Sequence, residues 1–260
     1  MQPFEFDGDW SGQLIATAIH AGHELRAEVA ELMVLDEDVR FREEDPYTDR
    51  IASLAPARVV VHQSRFETDL NRPRSEAVYR TPDDAWGLDL WSDEELPDDI
   101  VARSLELYDG FYAALADRLD EVAARGPFVL LDVHSYNPRR DGADEPPAPV
   151  EENPEVNVGT GSLDTDMFGP LVERFMGDLR DASLGCGPLD ARENVAFEGR
   201  GLAWWVHDRY PRVGCVLALE FKKTFMDEWT GKVHADRFRC ALAGLAAALP
   251  GLHDELERLR

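Results

Sequence analysis

The chain lacks the features that attach a protein to a membrane, a secretion route or a disulfide scaffold. Its three cysteines are odd in number and form no C-x-x-C pair, so we expect neither a disulfide framework nor a cysteine-based zinc site. No apolar run approaches the roughly 20 residues that a membrane-spanning helix needs. The opening residues "MQPFEFDGDW" contain no basic region followed by an apolar core, as a secretory signal would. These absences predict a cytoplasmic protein.

Positive charge is the second deficit. The chain has 27 basic side chains against 52 acidic ones, which gives a formal net charge of -25. This excess of negative charge predicts that the protein binds neither nucleic acids nor anionic membranes. An anionic substrate has to be drawn in by a local basic pocket. The acidity fits a salt-adapted protein or simply a very soluble one, and it leaves the oligomeric state open.

Short apolar runs alternate with amphipathic segments along the chain. This alternation is typical of an α/β fold in which helices cover both faces of a mainly parallel sheet. The length of 260 residues fits a single domain over residues 1–260. The predicted strands are "LIATAI", "ARVVVHQS", "PFVLLDVHS" and "CVLALEFKK"; the predicted helices are "HELRAEVAELMVL", Pro97 to Arg125, "SLDTDMFGPLVERFMGDLRDA", "GLAWWVHDRY" and the segment from His234 to the C-terminus.

One long segment interrupts the alternation. Residues 136–164, "YNPRRDGADEPPAPVEENPEVNVGTGSLD", are rich in proline, glycine and acidic side chains. The segment is too long for an ordinary connection in a compact domain, and such a segment is either disordered or functional. Because it directly follows the polar end of a predicted strand, we expect a loop that covers a site, with a disordered surface loop as the alternative.

Polar side chains follow four of the predicted strands at the point where each strand ends. In open α/β sheets, ligands bind at the carboxyl ends of the strands. Histidine, carboxylate and arginine brought to one edge of a sheet favour metal-assisted hydrolysis. These side chains are His20, His23 and Glu24 after the first strand, Arg65, Asn71 and Arg72 after the second, Asp132, His134 and Ser135 after the third, and Glu220 after the fourth.

A metal site is the first prediction from this edge. Zinc takes histidine nitrogen and carboxylate oxygen, and a catalytic zinc keeps one position open for water. His20 and His134 form the predicted ligand pair, because each ends an apolar strand. The third ligand stays open among His23, Glu24 and an acid from "REEDPYTD" at residues 42–49. We expect one divalent ion, with zinc ahead of manganese and iron.

Two carboxylates on the same strands have predicted supporting roles. Asp132 lies two residues before His134, projects to the same side of the strand, and is predicted to accept its second ring proton. Glu220 ends the buried run "VLALE", where an unpaired carboxylate is costly. We interpret Glu220 as the general base that takes a proton from water. The alternative is an ion pair with Lys222 or an arginine.

The arginines after the second strand suit a substrate. A fixed guanidinium polarises a carbonyl or stabilises its oxyanion, and another holds a carboxylate with two hydrogen bonds. Arg65 and Arg72 are the candidates for these two tasks, and Asn71 adds a neutral donor. The alternative is a salt-bridged surface loop, because so acidic a chain offers arginine many partners.

Three of these motifs carry a resemblance to a known family. "IHAGH", "SRFETDLNRPR" and "LLDVHSY" are similar to segments of the N-formylglutamate amidohydrolases, and the likeness extends from His20 to Glu220. The family is related in fold to zinc carboxypeptidases and aspartoacylases. The resemblance therefore implies a mixed, mainly parallel sheet of eight strands between helices, with one zinc ion.

The resemblance also implies a reaction. It is the hydrolysis of an N-acyl amino acid, N-formyl-L-glutamate giving formate and L-glutamate, as in histidine catabolism. By this likeness Glu220 activates water, Arg65 polarises the formyl oxygen, and Asn71 and Arg72 hold a substrate carboxylate.

The same likeness assigns the metal to His20 and His134. The related aspartoacylase turn has an acid three residues after the first ligand, where this chain has His23. "REEDPYTD" corresponds to an acidic segment of the amidohydrolases, so Glu44 or Asp45 completes the site. The predicted metal set is His20, His23, Glu44 and His134.

Three other functions compete with this one. A zinc carboxypeptidase acting on short peptides is the nearest enzymatic alternative. A metal- or ligand-binding protein without catalysis would keep the ion and not need Glu220. A serine hydrolase built on Ser135 is the third, although the chain contains no G-x-S-x-G motif.

Overall fold

A mixed sheet of seven strands organises the part of the chain that the computed structural model describes, residues 2–92, 96–182 and 187–259. The strands are β1 (Phe4–Gly8), β2 (Leu14–Ala18), β3 (Ala57–Val61), β4 (Phe128–Tyr136), β5 (Val156–Gly159), β6 (Ala191–Glu193) and β7 (Gly214–Lys222). Their order is β1-β3-β2-β4-β7-β5-β6. Only the β1–β3 and β5–β7 pairs are antiparallel within the described residues. The predicted mixed, mainly parallel α/β class is confirmed, with seven described strands where the resemblance implied eight.

The two central strands, β4 and β7, are the longest, at nine residues each. Every residue of "FVLLDVHSY" is buried, and so is nearly all of "GCVLALEFK". A parallel strand covered on both faces requires such a nearly continuous apolar sequence. The polar side chains Asp132, His134 and Ser135 of β4 are therefore buried at the carboxyl end of the sheet, and Glu220 of β7 is partly exposed there.

Helices cover both faces of the sheet. Seven α-helices lie in the described ranges: α1 (Ala27–Ala30), α2 (Glu37–Glu43), α3 (Thr48–Ala52), α4 (Asp98–Ala123), α5 (Thr165–Asp181), α6 (Gly201–Arg209) and α7 (Ala235–Arg258). Side chains of α3, α5 and α7 pack in one core with Leu131 and Leu217. Side chains of α4 and α6 pack in the second core with Leu130 and Val216.

The parallel register aligns the polar strand ends. Thr17 on β2 lies opposite Asp132 on β4, and His134 on β4 lies opposite Glu220 on β7. Successive side chains of a strand point to opposite faces, so Asp132 and His134 share one face. The strand-end side chains singled out in the sequence therefore meet at one edge.

The long helix predicted over 97–125 is confirmed as α4, but the helix predicted in "HELRAEVAELMVL" is wrong beyond four residues. After α1 the backbone turns to pair with residues 90–92. Val34 donates to the carbonyl of Leu90, and Ser92 donates to that of Leu32. These tertiary hydrogen bonds replace the helical ones that the apolar periodicity predicted.

The predicted loop at 136–164 is shorter than expected. Tyr136 ends β4, and residues 156–159 form β5, which pairs with β7. Val156 and Val158 are buried in this strand, and its backbone pairs with β7. These residues therefore belong to the sheet and not to a loop. Residues 137–155 form no helix or strand.

Two of the three cysteines lie within the described residues. Cys215 is a buried free thiol on β7, Cys240 on α7 takes part in a disulfide bond, and Cys186 lies outside the described residues. Among the described helices, none combines the length and apolarity required to cross a bilayer.

Candidate active site

His20, Asp45 and His134 form a buried group at the carboxyl edge of the sheet. Each offers one ligand atom, and these atoms lie within 4.8 Å of one another. The three residues come from separate segments: His20 follows β2, Asp45 lies between α2 and α3, and His134 is on β4. All three are almost fully buried. The fold thus collects two imidazoles and one carboxylate that are distant in sequence.

Both imidazoles turn the same nitrogen towards Asp45. Nδ1 of His134 lies 3.0 Å from Oδ2 of Asp45, and Nδ1 of His20 lies 3.5 Å from the same oxygen. Nδ1 of His20 makes no hydrogen bond among the described residues. A buried polar atom without a partner is costly, so this nitrogen is placed to ligate something. Two ring nitrogens and a carboxylate oxygen are a donor set that fits zinc.

The opposite nitrogen of each imidazole faces a further carboxylate. Nε2 of His20 donates to Oδ1 of Asp69 over 2.7 Å. Nε2 of His134 lies 3.0 Å from Oδ2 of Asp132, an ion-pair distance without the alignment of a hydrogen bond. Asp132 is held by the hydroxyl of Thr17, which donates to its Oδ1 over 2.6 Å. Histidines that bind metals are usually oriented by a carboxylate in this way.

Asp69 is the residue that sequence reasoning missed. Besides His20 it accepts hydrogen bonds from Arg65, from the hydroxyl of Tyr79 and from the backbone N–H of Asn71. Burial acts to raise the pKa of Asp69, but the charge of Arg65 and the contacts of His20 hold that pKa well below its usual range. The only signal in the sequence was its place at the head of "DLNRPR".

Asp45 is ionised and fixed at both its backbone and its carboxylate. Burial acts to raise its pKa, but the hydrogen bonds and charges of His134 and His20 hold the pKa far below the usual value. Its N–H donates to the carbonyl of His20 over 2.9 Å, and the hydroxyl of Ser135 donates to its Oδ1 over 3.1 Å. Asp45 is therefore a rigid, negatively charged ligand candidate.

Glu220 is a carboxylate without a partner. Burial raises its pKa to about 7, against an opposing effect of His134. Its side chain makes no hydrogen bond or ion pair with a described residue, so the alternative of an ion pair with Lys222 or an arginine finds no support. A carboxyl group that titrates near neutral pH beside a polar cluster suits general acid–base chemistry.

Arg65 and Arg72 lie on the Asp69 side of the group. Nη2 of Arg65 donates to Asp69 over 2.7 Å, while its buried Nε has no partner among the described residues. Arg72 donates from Nη2 to the carbonyl of Asp84 over 2.7 Å. The ring of Trp86 lies 5.0 Å from the guanidinium of Arg65 and 5.9 Å from that of Arg72. Both arginines are thus held in place with donor capacity left.

Asn71 is packed against the start of α6. Its Oδ1 accepts from the N–H of Leu202 over 3.1 Å. A Cβ at Gly201 would approach the carbonyl oxygen of Asn71 to 2.2 Å, so only glycine fits there. The side-chain oxygen of Asn71 is therefore engaged.

A comparison with known protein families identifies the family of this chain. The model of the N-formylglutamate amidohydrolase family matches residues 12–226, which include every residue of the site described above. The chain belongs to the N-formylglutamate amidohydrolase family. It is accordingly a hydrolase that acts on an amide.

Solved structures share the fold of this amidohydrolase. The N-formylglutamate amidohydrolase of Ralstonia eutropha JMP134 matches with a TM-score of 0.75 at 16% identity, covering 100% of this chain and 99% of its own. A gene product of Agrobacterium tumefaciens matches with a TM-score of 0.64 at 17% identity over 96% of each chain. These likenesses show the fold alone. No curated protein sequence matches this chain.

Two residues of the predicted metal set lie outside the group. Nδ1 of His23 donates to Oε2 of Glu44 over 2.5 Å, and the other oxygen of Glu44 accepts from the hydroxyl of Ser64. Arg40 also faces this pair, with Nη1 at 3.5 Å from Oε1 of Glu44. His23 and Glu44 are therefore engaged with each other, and Asp45 is the acid of residues 42–49 that lies beside His20 and His134. Glu24 is exposed.

The serine alternative finds no catalytic pair at this edge of the amidohydrolase. The hydroxyl of Ser135 donates to Asp45. Elsewhere, Ser162 lies 2.8 Å from Nδ1 of His207, but Nε2 of that imidazole accepts the N–H of Val216. Nδ1 must then carry the ring proton and donate to Ser162. This imidazole therefore cannot take the proton of the Ser162 hydroxyl.

Proposed function

We propose that this amidohydrolase is zinc-dependent and cleaves N-formyl-L-glutamate to formate and L-glutamate. The observation that carries the proposal is the buried group of His20, Asp45 and His134 beside the unpaired carboxyl of Glu220. The substrate follows the family to which the chain belongs. The cytoplasmic location and the part in histidine catabolism belong to the same proposal.

The donor set supports a single catalytic ion. His20 and His134 would bind it through Nδ1 and Asp45 through a carboxylate oxygen, which leaves one position for water or substrate. Asp69 contacts the opposite nitrogen of His20, and Asp132 contacts that of His134. When bound, zinc supplies positive charge that polarises a carbonyl and acidifies water.

Glu220 supplies the proton transfers. In its ionised form it takes a proton from the attacking water, and in its protonated form it returns that proton to the departing amine. Burial raises the pKa of Glu220, which makes its protonated form accessible for the second transfer.

Arg65 and Arg72 serve the substrate's oxygens. The unpartnered Nε–H of Arg65 is a donor for the formyl oxygen as negative charge develops on it. Arg72, with Asn71, holds a substrate carboxylate. These guanidinium groups form the local basic pocket that a chain of net charge -25 needs in order to bind an anion.

Residues 137–155 are proposed to cover this site. Arg139 is anchored to Glu228 through its N–H at 2.9 Å and its guanidinium at 3.0 Å. Trp229 donates to the carbonyl of Arg139, and its ring lies 4.0 Å from the guanidinium of Arg42, three residues before Asp45. The base of the segment is thus fixed near a proposed metal ligand.

The deciding experiment combines elemental analysis of the purified protein with formate release from N-formyl-L-glutamate, before and after chelation. One equivalent of zinc and formate release that chelation abolishes is the expected result. Zinc with cleavage of short peptides instead would identify the carboxypeptidase alternative. Zinc without any hydrolysis would leave a binding protein, and a protein without metal would overturn the proposal.

A further inference from the structure

Lys223 is a charged side chain buried where the proposed mechanism does not use it. It is 2% exposed, follows β7 directly, and lies three residues after Glu220. Lysine is almost never fully buried unless its ammonium is paired. The partners of this ammonium therefore indicate what the residue does.

Those partners are backbone carbonyls beside Asp45. Nζ donates to the carbonyl oxygen of Arg42 over 2.6 Å and to that of Glu44 over 2.7 Å. Both lie at the carboxyl end of α2, where the last carbonyls have no partner within the helix and carry partial negative charge. The carbonyl of Glu44 belongs to the peptide that leads into Asp45.

The backbone of Lys223 is tied to the third segment of the site. Its N–H donates to the carbonyl of Tyr136 over 2.9 Å, two residues beyond His134. One residue thus joins the ends of β4 and β7 to the turn between α2 and α3. These are the segments that carry His134, Glu220 and Asp45.

We propose that Lys223 is a positioning residue that fixes Asp45 relative to Glu220 and His134. This inference rests on the proposed metal-dependent function. Without the ammonium, two buried carbonyls lose their donor, and the peptide before Asp45 keeps the hydrogen bond of its N–H to His20 but loses the one at its carbonyl. Because Nζ is occupied by backbone atoms, Lys223 acts on the metal site and does not bind the substrate.

Zinc binding by the apoprotein tests the role directly. The variant is Lys223→Met, which keeps the length of the side chain and removes its charge. The matched control is Lys222→Met on the neighbouring residue, which is also buried but whose ammonium lies near Glu155 and Asp190. Zinc affinity is measured by competition with a chromophoric chelator, together with the melting temperature of each apoprotein.

We expect Lys223→Met to weaken zinc binding by about 10- to 100-fold, the usual effect of losing a group that supports a ligand. Lys222→Met should stay within about 2-fold of the wild type. At saturating zinc, Lys223→Met should have a lower kcat than the wild type and an unchanged KM. General destabilisation would not produce this combination. If that variant fails to fold, Lys223→Gln, which keeps an uncharged NH₂ donor group, should show a smaller loss in the same direction.

The outcomes separate the two proposals. A wild-type protein that binds no zinc overturns the proposed function and this inference with it. A wild type that binds zinc tightly while Lys223→Met or Lys223→Gln binds it equally well overturns the role of Lys223 alone. A loss that Lys222→Met shares would also overturn it, because removal of any buried lysine would then suffice.

Discussion

His134 on β4 and Glu220 on β7 lie directly opposite each other in the parallel register. A ligand candidate and a base candidate are thereby held side by side by the two longest strands of the sheet. Strand pairing, rather than a loop, sets their separation. This rigidity suits a site in which a proton has to pass between fixed positions.

The role of Glu220 gives the first prediction. Glu220→Gln should retain zinc but lower kcat by about 10²- to 10⁴-fold, because the amide cannot accept the proton of water. The measurement is formate release with zinc content determined on the same sample. Full activity in this variant would show that the base lies elsewhere.

The identity of the third ligand gives the second prediction. Asp45→Ala should lose zinc and activity, as should His20→Ala and His134→Ala, because each removes one of the three proposed ligands. Glu44→Gln is the control, since its carboxylate contacts His23 and Ser64. Elemental analysis after dialysis separates the cases, and loss of zinc in Glu44→Gln but not in Asp45→Ala would restore the ligand set predicted from the sequence.

Substrate anchoring by Arg72 gives the third prediction. Arg72→Ala should raise KM for N-formyl-L-glutamate by about 10-fold or more with little change in kcat, because a charge-assisted hydrogen bond contributes about 1.5–3 kcal/mol. Arg74→Ala is the matched control, since Arg74 pairs with Asp109 at the surface. Steady-state kinetics of both variants decide the question, and equal KM values would remove Arg72 from the substrate site.

A pH-dependent loss of stability at His207 is the fourth prediction. Burial lowers the pKa of His207 to about 4 from an ordinary value of 6.5, so the folded state favours the neutral imidazole. Its contribution to stability is complete above pH 6.5 and is lost as the pH falls towards 4, with a slope of up to about 1.4 kcal/mol per pH unit. Denaturant unfolding of the wild type and of His207→Gln from pH 7 to pH 5 should show the steeper loss in the wild type. Parallel curves would contradict this assignment.

Closure of residues 137–155 is the fifth prediction. Saturating L-glutamate, a product of the proposed reaction, should slow trypsin cleavage after Arg140, which is exposed without ligand. Arg139→Ala should speed cleavage, because the contacts of the guanidinium with Asp227 and Glu228 are lost. Cleavage rates that ignore the ligand would exclude a covering role.

The sequence predicted the parts of the fold that depend on regular patterns. Apolar runs located β2, β3, β4 and β7, and the polar ends of these strands led to His20 and His134, which the structure brings together. β1, β5 and β6 were not predicted: β5 lies in the segment that the sequence assigned to a loop, and β1 and β6 are edge strands of only five and three residues.

The remaining parts of the site depend on irregular backbone. Glu44 and Asp45 are neighbours with the same chemistry, and only the conformation of the turn between α2 and α3 directs one to His23 and the other to His134. Asp69 has its partners Arg65 and Tyr79 in a segment without periodicity. No spacing rule distinguishes such residues in a single sequence.

The pairing of β5 with β7 restricts the movement of residues 137–155. Residues 137–155, which we propose to cover the site, follow β4 directly and lead into β5, which is bonded to the strand that carries Glu220, so both ends of the segment are attached to the sheet. A segment attached at both ends opens when its middle moves outwards, and it cannot rotate away about one end. We expect such an entrance to admit a compact metabolite and to exclude a polypeptide. The size of the opening would then select the substrate before it contacts any side chain of the site.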